Sequence, residues 1–527
     1  MKPIIKFFDG MRRILLSLSL IATFASGCSG FLEKIPYEDY TDDDLLASVD
    51  GLNVLLNGTY GIVKSSNYYG ALIYQYEAAR GCDFFIRDVG GGTSMSSEAG
   101  YSLSSTSSGA ATDAWKTIYS VVTNTNLILD NVDEVTGDVE ELRRIKGEAL
   151  ALRGLAYFDL MRLFAYPPHF SYLNPGEDNN DKLTLGVPLI LNSDMSLHPE
   201  KYQISRASAE ECYIYILDQI TKSQALLEGK SERRGAITAA VASALKMRVM
   251  LYMEKWSDII SEGENWIAEY GGLYSLIPYD SYKTSYWKPF NSESVWELEY
   301  DAANALSSSS FNYWVRKPTN DDPLSEDYGK VVQNAGYARV GFMYSGTNNG
   351  LPFLKAYPDD IRLCWCCELG LQDHPEYTGC RKYVGDPFHS VHNIPIVRLP
   401  EIYLTLAEAC YKMGDLNKAG QYASLVSQVR RKADINGSDI ASIYGERRRE
   451  FMLEGQNYFD MFRRGTSIRN RQYIELANDR SITFGSVSSQ HYRVVYPIPL
   501  REMNANPAIR NQQNPGYSEW VSGGEDF

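Results

Sequence analysis

The amino-acid sequence predicts a mainly α-helical protein: a scaffold of tetratricopeptide-like helical hairpins carrying long irregular loop insertions and a few short strands. Three observations lead there. In the stretch Arg398 to Gly465, Ile402, Leu406 and Ala409 recur at helical spacing. Gly414-Asp415 then makes a turn, and Leu416, Ala419, Ala423 and Val426 restart the period, which reads as two antiparallel helices. A second hairpin, Ala236 to Met253 and Ser257 to Tyr270 about Glu254-Lys255-Trp256, has the same alanine-rich character, so the pattern repeats. Small residues such as Ala407, Ala409, Ala419 and Ala423 let paired helices approach closely, as stacked hairpins of a solenoid must.

Taken in order, the chain opens on a leader. Lys2, Lys6, Arg12 and Arg13 precede the apolar run Ile14 to Phe24, and Ala25-Ser26-Gly27 precede Cys28. This is a secretory signal over 1–27, and translation from Met11 would give a still cleaner one. The apolar run is too short to span a bilayer, and no later stretch reaches about 18 uncharged apolar residues. Ala25-Ser26-Gly27-Cys28 resembles a bacterial lipobox, in which Cys28 would be acylated and become the new N-terminus. Ala25 departs from that pattern, where leucine is commonest, and ordinary signal-peptidase cleavage at the same bond is the alternative. Several acyl chains, at about 0.8 kcal/mol per buried methylene, would hold the protein durably on a membrane.

The mature chain, 28–527, is expected to form a single domain. Its N-terminal part, 28–235, begins with an acidic run that starts a helix, capped by Thr41 and striped by Leu45, Val49, Leu52 and Leu56. Residues 62–110 read as a loop region, ending in a low-complexity stretch from Gly90 that is expected to be flexible and exposed. Helical periodicity returns at Trp115, Ile118, Val122 and Ile128, and again at Leu142, Ile145, Ala149, Leu152 and Leu163, until Pro167-Pro168 ends it. An irregular segment to about Ser205 and a further helix complete this part. The scaffold hairpins occupy 236–270 and 398–465. Between them, 271–397 is a loop-rich insertion with a strand at Val295 to Tyr300, and 466–527 is a Pro- and Asn-rich tail that wraps the scaffold.

Five of these blocks resemble, in order, the SusD/RagB family of surface lipoproteins of Bacteroidetes that work in nutrient uptake. They are EALALRGLAYFDLMRLFAYPP, the hairpin from Ala236, RLPEIYLTLAEACYKMGD, ERRREFMLEGQNYFDMFRRG and YPIPLREMNANPAIRNQQNPGY. The resemblance extends from Cys28 to Tyr517. It implies a helical scaffold lying as a lid on a SusC-like TonB-dependent transporter of the outer membrane. It further implies non-catalytic capture of a glycan for import, with attachment through a lipid on Cys28. A peptide cargo, as in the RagB branch, and a secreted glycoside hydrolase are the alternatives.

Composition agrees with a ligand-capturing protein. Of 527 residues, 44% are apolar and 22% charged, as in an ordinary globular chain, and the net charge of −15 disfavours nucleic acid. Tyrosine outnumbers phenylalanine 38 to 19, and rings with a polar handle suit either a core or a half-wet binding surface. A glycan needs aromatic platforms flanked by hydrogen-bonding groups. The candidates are Tyr68, Tyr69, Arg80, Asp83 and Tyr101 from the first loop region, with Tyr286, Trp287, Trp314 and Tyr344 from the insertion.

No catalytic residue, metal site or cofactor is expected. GxSxG, HExxH and a phosphate-cradling glycine loop are all missing from the sequence. Glu450 and Glu454 sit one turn apart beside Arg447 and Arg448, which reads as a salt-bridged face rather than an acid/base pair. Cys364, Cys366, Cys367 and Cys380, near His374, His389 and His392, do not match a zinc spacing and read as a disulfide or free thiols. Cys82, Cys212 and Cys410 read as buried thiols.

Overall fold

A computed structural model of the chain describes residues 42–88, 95–104, 109–174, 181–229, 233–315, 325–326, 330, 340–343, 349–368, 378–383, 391–468, 471–475, 480–484, 486–489 and 491–517. The leader, Cys28, Tyr344, His374 and His389 lie outside them. The longer helices are α1 (Val49–Val63), α2 (Gly109–Asn131), α3 (Val139–Phe164), α4 (Ala209–Leu227), α5 (Ala239–Tyr252), α6 (Trp256–Tyr270), α7 (Leu399–Lys412), α8 (Leu416–Arg431) and α9 (Ile440–Glu450).

From α2 to α8 each helix packs on the next in sequence, the nearest-neighbour stacking of a solenoid. The stack runs unbroken from α6 to α7 although the whole insertion separates them in sequence. Close approach at that junction depends on Gly263. A Cβ there would lie 2.7 Å from Leu406 Cδ2 and 2.8 Å from Met247 Cε. Both expected hairpins are therefore present, and Ala407, Ala409, Ala419 and Ala423 are fully buried within the second.

Helix α3 is the axis of the core, buried on nearly every side from Ile145 to Phe164. Its buried polar groups are all provided for. Glu148 accepts from the Tyr60 hydroxyl at 2.7 Å and pairs with Arg144 and Arg233. Arg153 donates to Asn126 and Gln219, and Asp159 holds Arg162 and the Tyr68 hydroxyl. The tail closes over the end of this helix, with Tyr496 N donating to Leu163 O at 2.8 Å and Asn514 Nδ2 to Phe164 O at 2.7 Å.

Two local expectations need correction. The helix read through Leu45 and Val49 breaks at Ser48, because that side chain accepts from Gly51 N and caps α1 afresh after the short helix Asp42–Ala47. The first loop region is not open either. Residues 72–80 are helical, Phe84–Asp88 form β1, and within the low-complexity stretch Met95, Ala99, Tyr101 and Leu103 are buried.

The strands are β1, β2 (Leu185–Pro188), β3 (Arg206–Ser208), β4 (Ser294–Leu298), β5 (Val340–Phe342), β6 (Cys366–Glu368), β7 (Thr378–Cys380), β8 (Ile394–Arg398), β9 (Arg471–Glu475) and β10 (Arg480–Phe484). Six form one sheet in the order β10-β9-β1-β5-β7-β6, antiparallel except for the β1–β9 pair. β4 and β8 form a separate antiparallel ribbon at the expected strand, and β8 leads directly into α7. The ribbon thus places the end of the insertion against the scaffold.

Candidate ligand-binding trough

The ribbon is anchored by a buried ionic cluster. Arg398, the last residue of β8, contacts Glu450 at 2.7 Å, Glu454 at 2.5 Å and Glu293 at 3.1 Å. Arg430 of α8 bridges Glu293 and Glu450, and Arg362 reaches Asp360, Glu446 and Glu450. Burial alone would push the Glu450 carboxyl up, but the three guanidiniums outweigh it and hold it well below the carboxylate range. The sequence placed Glu450 and Glu454 on a salt-bridged face of one helix. They are ion-paired, but Glu450 ends α9, both are buried, and their cations come from other elements.

Above this cluster lies a cleft lined by Tyr286, Trp287, Asn291, Glu297, His392 and Asn393, among others. The short helix Tyr279–Ser285 delivers Tyr286 and Trp287 to its rim, both half-buried. The Tyr286 ring stacks on Tyr282 at 5.3 Å and 17°, and its hydroxyl donates to Arg381 O at 3.2 Å. Glu297 accepts from Phe290 N and from Asn393 Nδ2, each at 2.9 Å. Burial raises the Glu297 carboxyl, and those two donors pull it back only in part. Lys382 sits 4.1 Å from the Trp365 ring and donates to the carbonyls of Glu450 and Met452; burial pulls its ammonium down, and Glu454 opposes that.

This cleft does not stand alone. A second shares Asn291 and Glu297 with it, and a third shares Arg233, Arg234, Gly235 and Ala236 with the second. Each of the three is lined in part by β4, through Glu297 in the first, Ser294, Val295, Trp296 and Glu297 in the second and Leu298 in the third, and we refer to them jointly as the trough along β4. Phe290, with Arg234 5.3 Å over its ring, lies in the second cleft, and Lys64 and Glu299 lie in the third. Such a lining offers ring faces, amides and charges of both signs, the groups that bind a polyhydroxylated chain.

Of the sequence candidates among the described residues, only Tyr286 and Trp287 line the trough. Tyr68 and Tyr69 are core residues, Tyr68 giving its hydroxyl to Asp159 at 2.6 Å. Arg80 is enclosed by the rings of Tyr101, Tyr76 and Tyr458 at 4.1, 5.0 and 5.5 Å, and donates to Arg493 O. Tyr101 is buried in that cage. Asp83 is spent on Arg448, at 2.5 and 3.0 Å, and on Gly350 N. Trp314 is buried against Phe311. Sequence reasoning missed Asn291, Phe290, Glu297 and Asn393. The available signal was the ring density of 274–300, with Tyr274, Tyr279, Tyr282, Tyr286, Trp287, Phe290, Trp296 and Tyr300.

Another groove lies between α2 and the tail, but its Trp115 is buried and gives its N–H to Glu502 at 3.2 Å. Among the described residues, no group of histidine, cysteine and carboxylate side chains is arranged to hold a metal ion, and no helix is long and apolar enough to cross a membrane.

Two family models match the chain: that of the SusD family over residues 380–517, and one described as starch-binding associating with outer membrane over residues 31–251. A SusD-like protein, P25, of Formosa agariphila is 22% identical, with 93% of this chain and 96% of that protein aligned. The starch-binding protein SusD of Bacteroides thetaiotaomicron is 24% identical over 75% of this chain and 76% of its own length. Among solved structures, a SusD superfamily protein from Bacteroides thetaiotaomicron superposes with a TM-score of 0.74 at 26% identity, covering 89% of this chain and all of that one. A laminarin-binding SusD-like protein shares the fold at 19% identity, with a TM-score of 0.66, covering 89% of this chain and all of that one.

Proposed function

This chain belongs to the SusD family, and on that premise we propose that it is a non-catalytic glycan-binding lipoprotein of the outer membrane. It captures an oligosaccharide or polysaccharide at the cell exterior and hands it to a SusC-like TonB-dependent transporter. One observation carries the reading of the site: the three clefts along β4 share lining residues and so offer one elongated trough. An extended polymer fits a trough, whereas a small metabolite calls for a closed pocket.

The contact residues on this reading are Tyr286 and Trp287 at one end, Asn291, Glu297 and Asn393 in the middle, and Arg234 over Phe290 beyond. Trp287 and Tyr286 supply faces for the CH surfaces of sugar rings, and the amides and carboxyl take the hydroxyls. Of the carboxylates lining the first cleft, Glu293 and Glu454 are ion-paired with Arg398, and Glu297, whose carboxyl burial raises, is held by Phe290 N and Asn393. The absence of turnover in this proposal rests on the family. The lipid on Cys28 and the transporter rest on the leader sequence and on the family.

Calorimetry of the mature protein against a panel of polysaccharides tests the proposal. Saturable binding with no release of reducing ends supports it. Release of reducing ends would establish a glycosidase instead, and binding of peptides alone would move the protein to the peptide-carrying branch.

A further inference from the structure

Four of the cysteines lie in one short stretch, and the sheet register singles out two of them. β6 and β7 pair antiparallel with Cys366 opposite Cys380, Cys367 opposite Gly379 and Glu368 opposite Thr378. One step further, Arg381 N donates to Trp365 O at 2.8 Å, so Trp365 and Arg381 are a hydrogen-bonded pair. Hydrogen-bonded and non-hydrogen-bonded pairs alternate along an antiparallel ladder. Cys366 and Cys380 are therefore a non-hydrogen-bonded pair, the kind with Cα atoms about 4.5 Å apart and side chains on one face at closest approach. That spacing lies inside the Cα window of about 4.4–6.8 Å that a disulfide requires.

The other nearby thiols are placed differently. Cys367 points to the opposite face, across from a glycine, and Cys364 precedes the strand in a single 3₁₀ turn. Burial raises the pKa of Cys366, and the neighbouring thiols add to this, Cys380 first and then Cys367 and Cys364. Both are thiols in this structure.

We propose that Cys366 and Cys380 form a cross-strand disulfide in the exported protein, closing the β6–β7 hairpin at the edge of the six-stranded sheet. The oxidant is a thiol–disulfide oxidoreductase of the compartment beyond the inner membrane. The Cys366 thiolate attacks its disulfide and displaces one of its sulfurs. The Cys380 thiolate then attacks Cys366 Sγ in the mixed disulfide and releases the second. The two protons lost by the cysteine thiols pass through solvent to the two displaced thiolates, two electrons go to the oxidant, and the oxidant leaves as a dithiol. Burial pushes the Cys380 thiol up to about 11, so little thiolate exists once the chain has folded, and the bond forms while the hairpin is still open.

The position of the bond gives it a use. Just after Cys380, Arg381 O accepts the Tyr286 hydroxyl, and Lys382 and Tyr383 line the first cleft. A link at 366–380 braces that wall from the sheet side. The inference rests on the register and on export, and is independent of what the trough binds.

The test uses the full chain expressed with its own leader, extracted from membranes without reductant and alkylated at lysis. A glutamyl endopeptidase cleaving after Glu368 and Glu376 separates the two cysteines, and fragmentation of any linked peptides locates the bond. The expected result is a Cys366–Cys380 link in the wild type and in the Cys364→Ser/Cys367→Ser double variant, with a lower unfolding midpoint after reduction. Recovery of both residues as alkylated thiols, or a wild-type link at Cys364 or Cys367, overturns the proposal.

Discussion

Arg398 Nη1 lies 2.7 Å from Glu450 Oε1, joining the last residue of strand β8 to the last residue of helix α9. Glu450 also receives Arg430 and Arg362, so one carboxylate neutralises the centre of a cluster that ties the insertion to the scaffold. Removing one partner from a buried ion pair leaves uncompensated charge and costs about 3–5 kcal/mol. Glu450→Ala is expected to lose about that much stability in urea unfolding, and Arg431→Ala, whose side chain reaches only the edge of the cluster at Glu446, markedly less.

Stability should fall as pH rises from mildly acidic to mildly alkaline, through Glu77. Burial drives its carboxyl up to about 8, and the N–H donors of Gln456 and Leu453 only moderate this. Between about 4.5 and 8 the folded chain keeps a proton that the unfolded chain has released, so each step up in pH favours unfolding. Glu77→Gln should flatten that slope in urea midpoints measured across the window.

Glu408 and Glu446 set the acid limb. Burial would raise both, but Arg463 and Arg464 around the first, and Arg362, Arg449 and Arg431 around the second, hold them down to about 2. Their stabilisation is complete above about 4.5 and is lost as pH falls toward 2. Glu408→Gln should therefore be destabilised near neutrality and lose less than the wild type on acidification, as followed by circular dichroism.

Helix approach at Gly263 is the tightest test of the solenoid packing. A methyl group there meets Leu406 and Met247 below van der Waals distance, so Gly263→Ala should cost about 1–3 kcal/mol by overpacking. An alanine at Gly61, where a Cβ meets nothing, should be neutral or slightly stabilising by comparison.

The scaffold was legible because its signals are local. Ala407, Ala409, Ala419 and Ala423 lie within one hairpin, and the turn at Gly414-Asp415 lies between them. The site was not, because its parts meet only after folding. Tyr286 and Glu297 are separated from Arg381 and Asn393 by 95 and 96 positions, and nothing in either stretch announces the other. By residue type alone Tyr68 suits a platform and Arg80 a hydrogen-bonder. Their partners, Asp159 at 91 positions and Tyr458 at 378, turn both into core. A tyrosine-rich sequence supports either outcome, and only tertiary contacts separate them.

On the proposed function, Trp287 is a platform for a glycan in the trough along β4. Calorimetric titration of the mature wild type and Trp287→Ala with the best-binding oligosaccharide of a panel addresses it directly, with circular dichroism to show that the variant is folded. Saturable binding by the wild type and a loss of about tenfold or more in the variant, about 1.4 kcal/mol, is the predicted result. Equal affinity in the folded variant would contradict it.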